Sequence, residues 1–438
     1  MLQFLRRLFF DQFGWTAENN ITGITEIDAA IPEYWAPGVI VDGDRESFWG
    51  SLTGKEGSMM PVISKAGELK KNGDQVTFNT IQQLMGSGRT GESVLTGYEE
   101  KLGIGSFTVS ADIVRHAVAV SRKSTLQGNF DEVQMAKKLL SSWFGRKEDA
   151  DAFTAILSSS SVETLYANSK TAVGSLNSTD GDRFGVGDLQ LLEMALKRQG
   201  ALPLQMKKVN GRSVPIYGCV FGEIEKYWLY NNTTFAQTVR EIWERTSGKD
   251  HPLLQGAVGI YGNMILYDYS SILPIPQGTS LRPETTIYAT LTTTATTLSV
   301  GGASETGPGS EDVTPNYTQF FSTTGSLQIE NEILSYTAKG NNYFTVSRGA
   351  SSTTAAQHVP NKLVTERNVS KVIGFGAEAL FKAMPQDVRP IGENKDYGAH
   401  IGLGIEAYYG QAVKVDKRRG KASNVVVMKV YSDNPGGV

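Results

Sequence analysis

Apolar and polar positions alternate in two stretches of the N-terminal third, and this pattern predicts a long β-hairpin. Val76, Phe78 and Thr80 share one side of the first stretch, and residues 107–120 have extended character again. A glycine-rich, polar stretch between residues 86 and 97 separates them. Because an isolated hairpin is only marginally stable in water, we expect another surface to cover this one.

A helical period replaces the alternation further along the chain. Apolar residues at helical spacing between residues 129 and 160 predict one long helix, which Asn129 or Asp131 can cap. A second helix is predicted from Asp188, as its cap, to Gly200, as its stop. Residues 223–245 predict one broken helix or two short ones, and the polar residues 158–185 between the first two helices predict a loop. Residues 2–13 could form an amphipathic helix, whereas the poorly periodic residues 16–60 predict an extended arm with short helical turns.

The second half of the chain predicts mostly strands. Residues 214–221 predict a buried strand, and residues 402–415 and 422–431 predict two strands joined by a basic turn at 416–421. The motif from Gly374 to Ala379 predicts a tight turn between a strand and a short helix that Pro385 ends.

A threonine-rich segment predicts an inserted all-β module at residues 283–367. Dense β-branched residues favour strands over helix. A hairpin is expected to turn at Lys339–Asn342. The segment from Arg282 to Lys339 contains six acidic residues and no Lys or Arg between those two ends. The flanking segments are expected to rejoin as one domain.

Composition then excludes several classes of protein. The 438 residues include 42 Lys and Arg, 45 Asp and Glu, four His and one Cys, with a formal net charge of -3. One cysteine excludes a disulfide framework, and the even charge balance disfavours a dedicated polyanion binder. No apolar run reaches the ~18–20 residues that a membrane-spanning helix requires.

The residues that could carry chemistry occur in weak contexts. Two glycine motifs, at 86–91 and 374–379, lack the strand–helix–strand setting of a dinucleotide site. The four histidines are far apart in sequence, and His358 is expected at the surface of the module. Cys219 lies in an apolar strand, so we interpret it as a small buried residue. The sequence therefore predicts no enzyme, no cofactor and no metal site. The one dense basic cluster, around residues 417–421, is interpreted as a solvated turn or as a contact with nucleic acid or an acidic neighbour.

The order of these elements resembles the major capsid proteins of tailed bacteriophages, in the branch of the podovirus-like phages. Residues 73–104 resemble the extended loop of that family, Asp131 to Leu157 resemble its spine helix, and residues 396–398 with 402–414 resemble its C-terminal region. The resemblance covers residues 60–282 and 368–438. Residues 327–361 resemble small β-modules of phage structural proteins.

The resemblance implies an α+β tailed-phage capsid fold in six parts. These are an N-terminal arm (1–59), an extended β-hairpin loop (60–120), a peripheral domain with the spine helix (121–185), and an axial domain in two pieces (186–282 and 368–438). The second piece also supplies closing strands of the peripheral domain. The sixth part is the inserted all-β domain (283–367), expected to be immunoglobulin-like.

The resemblance further implies pentamers and hexamers that form an icosahedral shell, assembled in the host cytoplasm. The shell is expected to enclose double-stranded DNA, which lies close to the subunits without specific contacts. Portal, scaffold and decoration proteins are implied as partners. A membrane is not implied as a partner. Candidate contact residues between subunits are Arg89, Glu92, Tyr98, Trp15, Trp35, Lys417, Arg418 and Arg419. No lysine lies between Lys71 and Lys101, so we expect a shell without lysine–asparagine cross-links. The acidic module is expected on the outer surface.

Two other classes of function stay open at this point. The chain could be another phage structural protein, such as a tail or adhesin component that binds glycans through the module. It could also be a hydrolase with a carbohydrate-binding insert, although no recognisable pair of carboxylates supports this reading.

Overall fold

The computed structural model describes most of the chain between residues 47 and 432. The described residues are 47–66, 75–81, 86–101, 104–122, 132–171, 175–176, 181–209, 212–232, 235, 237, 257–269, 283–301, 317–350, 353–367, 369–395, 400–416 and 420–432. The predicted helix at residues 2–13 and most of the predicted arm lie outside these ranges.

Four α-helices are present in the described part of the chain, and the long predicted helix is confirmed as one continuous element. In chain order they are α1 Phe48–Ser51, α2 Glu132–Ser158, α3 Val186–Gln199 and α4 Glu223–Tyr230. The residue at the N-cap of α3 is Gly185, not the predicted Asp188. Asp188 lies in the first turn, where its carboxylate accepts hydrogen bonds from the backbone N–H groups of Gly185 and Asn168.

The strands of the first half of the chain include the predicted hairpin. They are β1 Thr53–Lys55, β2 Val62–Ala66, β3 Gln75–Ile81, β4 Ile104–Ser110, β5 Asp112–Ser121, β6 Glu163–Tyr166, β7 Gln205–Val209, β8 Arg212–Phe221, β9 Ala257–Tyr261 and β10 Met264–Asp268. Strands β3 and β4 pair antiparallel along their whole length. The prediction is wrong for the rest of the second stretch, because β5 leaves the hairpin and pairs with residues 400–409 in another sheet. Strand β6 was missed, because residues 158–185 predict only a loop.

The strands of the second half fall into an inserted group and a returning group. The inserted strands are β11 Glu284–Thr286, β12 Thr297–Ser299, β13 Gly325–Ile329, β14 Glu332–Lys339, β15 Tyr343–Ser347 and β16 Leu363–Glu366. The returning strands are β17 Val369–Phe375, β18 Leu380–Lys395, β19 His400–Val413, β20 Val415–Asp416, β21 Lys421–Ala422 and β22 Val425–Tyr431. The predicted turn between β14 and β15 is confirmed.

Two sheets form the body of the protein. The first has the order β1-β2-β18-β19-β5, and α2 packs on it through a cluster that includes Leu140, Phe144 and Leu403. The second has the order β6-β22-β17-β8-β10-β9, with β7 on β8, and α3 packs on it through Leu192 and Leu196. The strands that flank the inserted group, β10 and β17, both pair with β8, so the chain returns to the sheet it left.

The segment after Gly374 differs from its prediction, because β18 replaces the expected short helix. Its first five residues pair parallel with β2, and its other edge pairs with β19 over most of its length. Two register shifts between Ala383 and Arg389 accommodate Pro385, which cannot donate a backbone hydrogen bond. Partners distant in sequence therefore override the local pattern. The predicted strands at 402–415 and 422–431 exist, but they belong to different sheets.

The inserted strands form a third sheet with the order β11-β16-β13-β14-β15-β12, which we call the module. Its two edges also meet, since Ile287 and Val300 form a bridge and Tyr288 N–H donates to Ser299 O at 2.9 Å. The sheet thus closes on itself around its own core of Leu298, Leu327 and other apolar side chains. An immunoglobulin-like domain keeps two separate sheets, so that part of the expectation is not confirmed.

Candidate assembly surfaces

The base of the β3–β4 hairpin is fixed to the first sheet of the body. Val76, Phe78 and Val109 are buried with Phe381 and Ala383 in one cluster. The rings of Phe78 and Phe381 meet edge to face, with centroids 4.9 Å apart. The base of the hairpin is therefore part of the apolar core of the body.

The tip of this hairpin, residues 86–101, is exposed at every position. Its shape is nevertheless organised: the guanidinium carbon of Arg89 lies 3.6 Å from the ring centroid of Tyr98, and Gly86 N–H donates to Glu100 Oε2 at 2.6 Å. Val94 and Leu95 are 69% and 59% exposed. An ordered tip that presents large apolar side chains to solvent is typical of a binding surface.

The spine helix α2 carries buried polar groups that tie the body together. Asp149 accepts hydrogen bonds from Ser47 Oγ at 2.7 Å and from the backbone N–H groups of Phe48 and Trp49 at 2.8 and 3.0 Å. Burial raises the pKa of Asp149 to about 6 against the effect of these three donors. The start of the described chain is thereby fixed to the middle of the spine helix.

A second group of exposed apolar side chains lies on the helices. On α2, Met135 and Leu139 are 49% and 55% exposed and are one helical turn apart. Met194 on α3 and Tyr227 on α4 are also exposed. These positions add candidate contact surfaces to the hairpin tip.

Within the module, a buried carboxylate organises the loop that follows β15. Glu332 accepts five hydrogen bonds, of 2.7–3.1 Å, from Arg348, Gly349, Ala356 and His358. Burial alone raises the pKa of Glu332, but these donors outweigh it and hold the pKa at about 2.

The predicted surface position of His358 is wrong, because its side chain is only 2% exposed. Its Nδ1 lies 2.9 Å from Glu330 Oε2 and its Nε2 lies 2.8 Å from Glu332 Oε2. The ring can be buried because each of its two nitrogens has a glutamate oxygen as a partner.

Of the predicted contact residues, Arg89, Glu92 and Tyr98 are all exposed in the hairpin tip, and Arg89 lies over the ring of Tyr98. Trp15, Trp35, Lys417, Arg418 and Arg419 lie outside the described residues. Sequence reasoning missed Val94 and Leu95, although two adjacent apolar residues within a glycine-rich loop were an available signal. It also missed Asp149, whose partners lie 100 residues earlier in the chain.

The described residues contain no group of three or more His, Cys, Asp or Glu side chains arranged to hold a metal ion. Cys219 is fully buried, and burial raises the pKa of its thiol. No described helix has the length and apolar character needed to cross a membrane.

Comparison with known proteins agrees with this architecture. Residues 33–183 match the family model for phage capsid protein. No curated protein matches the chain. The capsid of Ralstonia phage GP4 has a similar structure, with a TM-score of 0.53 at 15% identity over 89% of this chain and 92% of that one.

Two further capsid structures are similar at low sequence identity. The cyanophage Pam1 capsid gives a TM-score of 0.56 at 14% identity, covering 89% of this chain and 93% of that one. The capsid of Helicobacter pylori bacteriophage KHP30 gives 0.53 at 13% identity, covering 88% and 91%. Residues 33–183 therefore resemble the phage capsid protein family, and the chain as a whole has the fold of tailed-phage capsid proteins.

Proposed function

We propose that the chain is the major subunit of an icosahedral head, that it assembles into pentamers and hexamers, and that the finished shell encloses double-stranded DNA. The observation that carries the proposal is the hairpin. Its base is buried in the body, and its tip presents exposed Val94, Leu95 and Tyr98. Such a projection buries its apolar surface only against another molecule. Electron microscopy of the purified protein tests the proposal directly.

We further propose the six-part division given above, with peripheral, axial, arm, loop and inserted parts. The sheet that carries α2 corresponds to the peripheral part, and the sheet that carries α3 corresponds to the axial part near the capsomer axis. The role is structural and not catalytic. Assembly in the host cytoplasm with scaffold, portal and decoration proteins belongs to the same proposal, as does the absence of a membrane partner.

Charges at the hairpin tip should abolish assembly while leaving the subunit folded. We expect Val94→Asp with Leu95→Asp to reduce the yield of shells at least about tenfold, because a buried apolar contact becomes charged. Unfolding of the free subunit should change by less than about 0.5 kcal/mol, because both residues are exposed. Sedimentation and urea unfolding measure the two effects.

The matched control for this variant is Val359→Asp in the module, at a position that is 52% exposed. It should assemble normally if the tip is the contact surface. Normal shells from the tip variant, or an equal loss in the control, would contradict the assignment of the tip.

Assembled shells should separate completely into single subunits in hot denaturing detergent. No lysine lies between Lys71 and Lys101, and the glycine-rich turn at residues 86–91 carries only Arg89. A guanidinium stays protonated and is not a usable nucleophile. Gel electrophoresis of boiled particles should give one band. A ladder of linked subunits would contradict the prediction of a non-covalent shell.

We also propose that the module lies on the outer surface of the shell. Two of its glutamates are neutralised in the folded module, because Arg348 pairs with Glu332 and Lys362 pairs with Glu330. Mild proteolysis of whole particles should clip the module before the body. Complete protection of the module in intact particles would place it inside.

A further inference from the structure

The module joins the body through two chain segments that lie side by side. The entering strand β11 pairs with the leaving strand β16, with Glu284 opposite Thr365. Glu366 N–H also donates to Pro283 O at 3.0 Å. Two adjacent connections act as a hinge, and relative motion of the two parts is the default for such a connection.

A short segment away from this hinge contacts both parts. Residues 317–322, which we call the bolt, contain Phe320 and Phe321, and both are nearly buried. Phe320 belongs to the apolar core of the body, which also contains Trp49 and Phe375. Phe321 belongs to the core of the module, where its ring centroid lies 5.0 Å from that of Phe344. Neighbouring phenylalanines therefore enter two different cores.

The backbone carbonyl groups of the bolt are held from both sides. From the body strand β17, Lys371 Nζ donates to Phe320 O at 2.7 Å. From the module strand β14, Lys339 Nζ donates to Thr318 O at 2.7 Å and to Phe321 O at 2.6 Å. One ammonium group from the body and one from the module thus bind carbonyl groups of the same segment.

Charge and burial favour the contacts that hold residues 317–322 between the body and the module. Lys371 is 6% exposed, and burial lowers its pKa to about 8 although the nearby Glu366 carboxylate opposes the shift. Tyr336 Oη donates to Ser322 O at 3.0 Å and lies 3.5 Å from Glu366 Oε1. A buried ammonium group that lost its carbonyl partner would be strongly destabilised, so the bolt resists withdrawal.

We propose that residues 317–322 lock the module to the body, so that the module is a rigid projection at a fixed angle and not a domain on a flexible tether. Phe320 and Lys371 are the body's half of the lock, and Phe321 and Lys339 are the module's half. The inference concerns the single subunit and holds whether or not the chain assembles into shells.

Distances between two spin labels test the lock in the isolated subunit. One label is placed by Tyr343→Cys in the module and one by Met194→Cys on α3, both at exposed positions, while the natural Cys219 is fully buried and does not label. The protein with an intact lock should give one narrow distance distribution. Phe320→Ala with Lys371→Met should broaden the distribution at least about twofold, because domain motion is no longer blocked.

Ile329→Ala is the control, because it removes a fully buried side chain from the core of the module and lies outside residues 317–322. It should lower the unfolding temperature of the module and leave the distance distribution narrow. A distribution that is already broad with the lock intact would overturn the proposal. So would an unchanged width in the Phe320→Ala, Lys371→Met protein, with circular dichroism showing that it is folded.

Discussion

Replacement of Glu332 by alanine is expected to destabilise the module by about 3–5 kcal/mol, which is the range for breaking a buried ion pair by removing one partner. The Glu332 side chain is 1% exposed and the Arg348 side chain is 7% exposed. Without the carboxylate, Arg348 loses its bidentate partner, and two backbone N–H groups lose their acceptor. Urea unfolding of the variant, followed by tyrosine fluorescence, measures the effect.

Glu330→Gln is the control, since the Glu330 side chain is 45% exposed and pairs with Lys362 near the surface. Its effect should be about 1 kcal/mol or less, as for other exposed ion pairs. Equal effects at the two positions would show that Glu332 does not organise the loop.

The same carboxylate sets a dependence on pH. Its pKa in the folded protein is about 2, below the ordinary value of 4.5. Because the folded pKa is lowered, the stabilisation is present in full above the ordinary pKa and is lost as the pH falls through the folded value. The difference in stability between the natural protein and Glu332→Gln should therefore shrink between about pH 4.5 and pH 2.

The second large effect is expected at the ion pair between the spine helix and the first sheet. Lys382 Nζ donates to Glu148 Oε1 at 2.6 Å, and the two side chains are 5% and 1% exposed. The other oxygen of Glu148 has no hydrogen-bond partner among the described residues. Lys382→Ala should therefore leave a buried, uncompensated carboxylate and cost about 3–5 kcal/mol in the free energy of unfolding.

Two further variants make this result specific. Glu148→Leu with Lys382→Met removes both charges, and it should be far less destabilised than the single variant, because no buried charge is left alone. Lys414→Ala breaks a partly exposed pair with Glu378 and should cost about 1 kcal/mol or less. A double variant as unstable as Lys382→Ala would attribute the loss to packing and not to charge.

The local pattern predicted the elements whose stability is mainly local. Alternation at Val76 and Phe78 predicts β3, helical spacing predicts the spine helix, and the polar turn after Lys339 predicts the β14–β15 hairpin. Each follows from side-chain periodicity or turn chemistry over fewer than about 30 residues.

Features that depend on distant partners could not be predicted in this way. Strand β18 contains two prolines and helix-favouring residues, and its strand conformation comes from pairing with β2 and β19. His358 lies in a polar stretch and is buried by glutamates 26 and 28 residues earlier. Part of the candidate site was predicted, since Arg89 and Tyr98 meet at the tip, but the apolar Val94 and Leu95 beside them were not.

Negative-stain electron microscopy of the purified protein tests directly whether the chain assembles into a shell. We expect closed polyhedral shells, or rings of five and six subunits under dissociating conditions, from the natural protein. The Val94→Asp, Leu95→Asp variant should form neither shells nor rings. Trimers, fibres or only monomers from the natural protein, across conditions in which it is folded, would show that it is not the subunit of a shell.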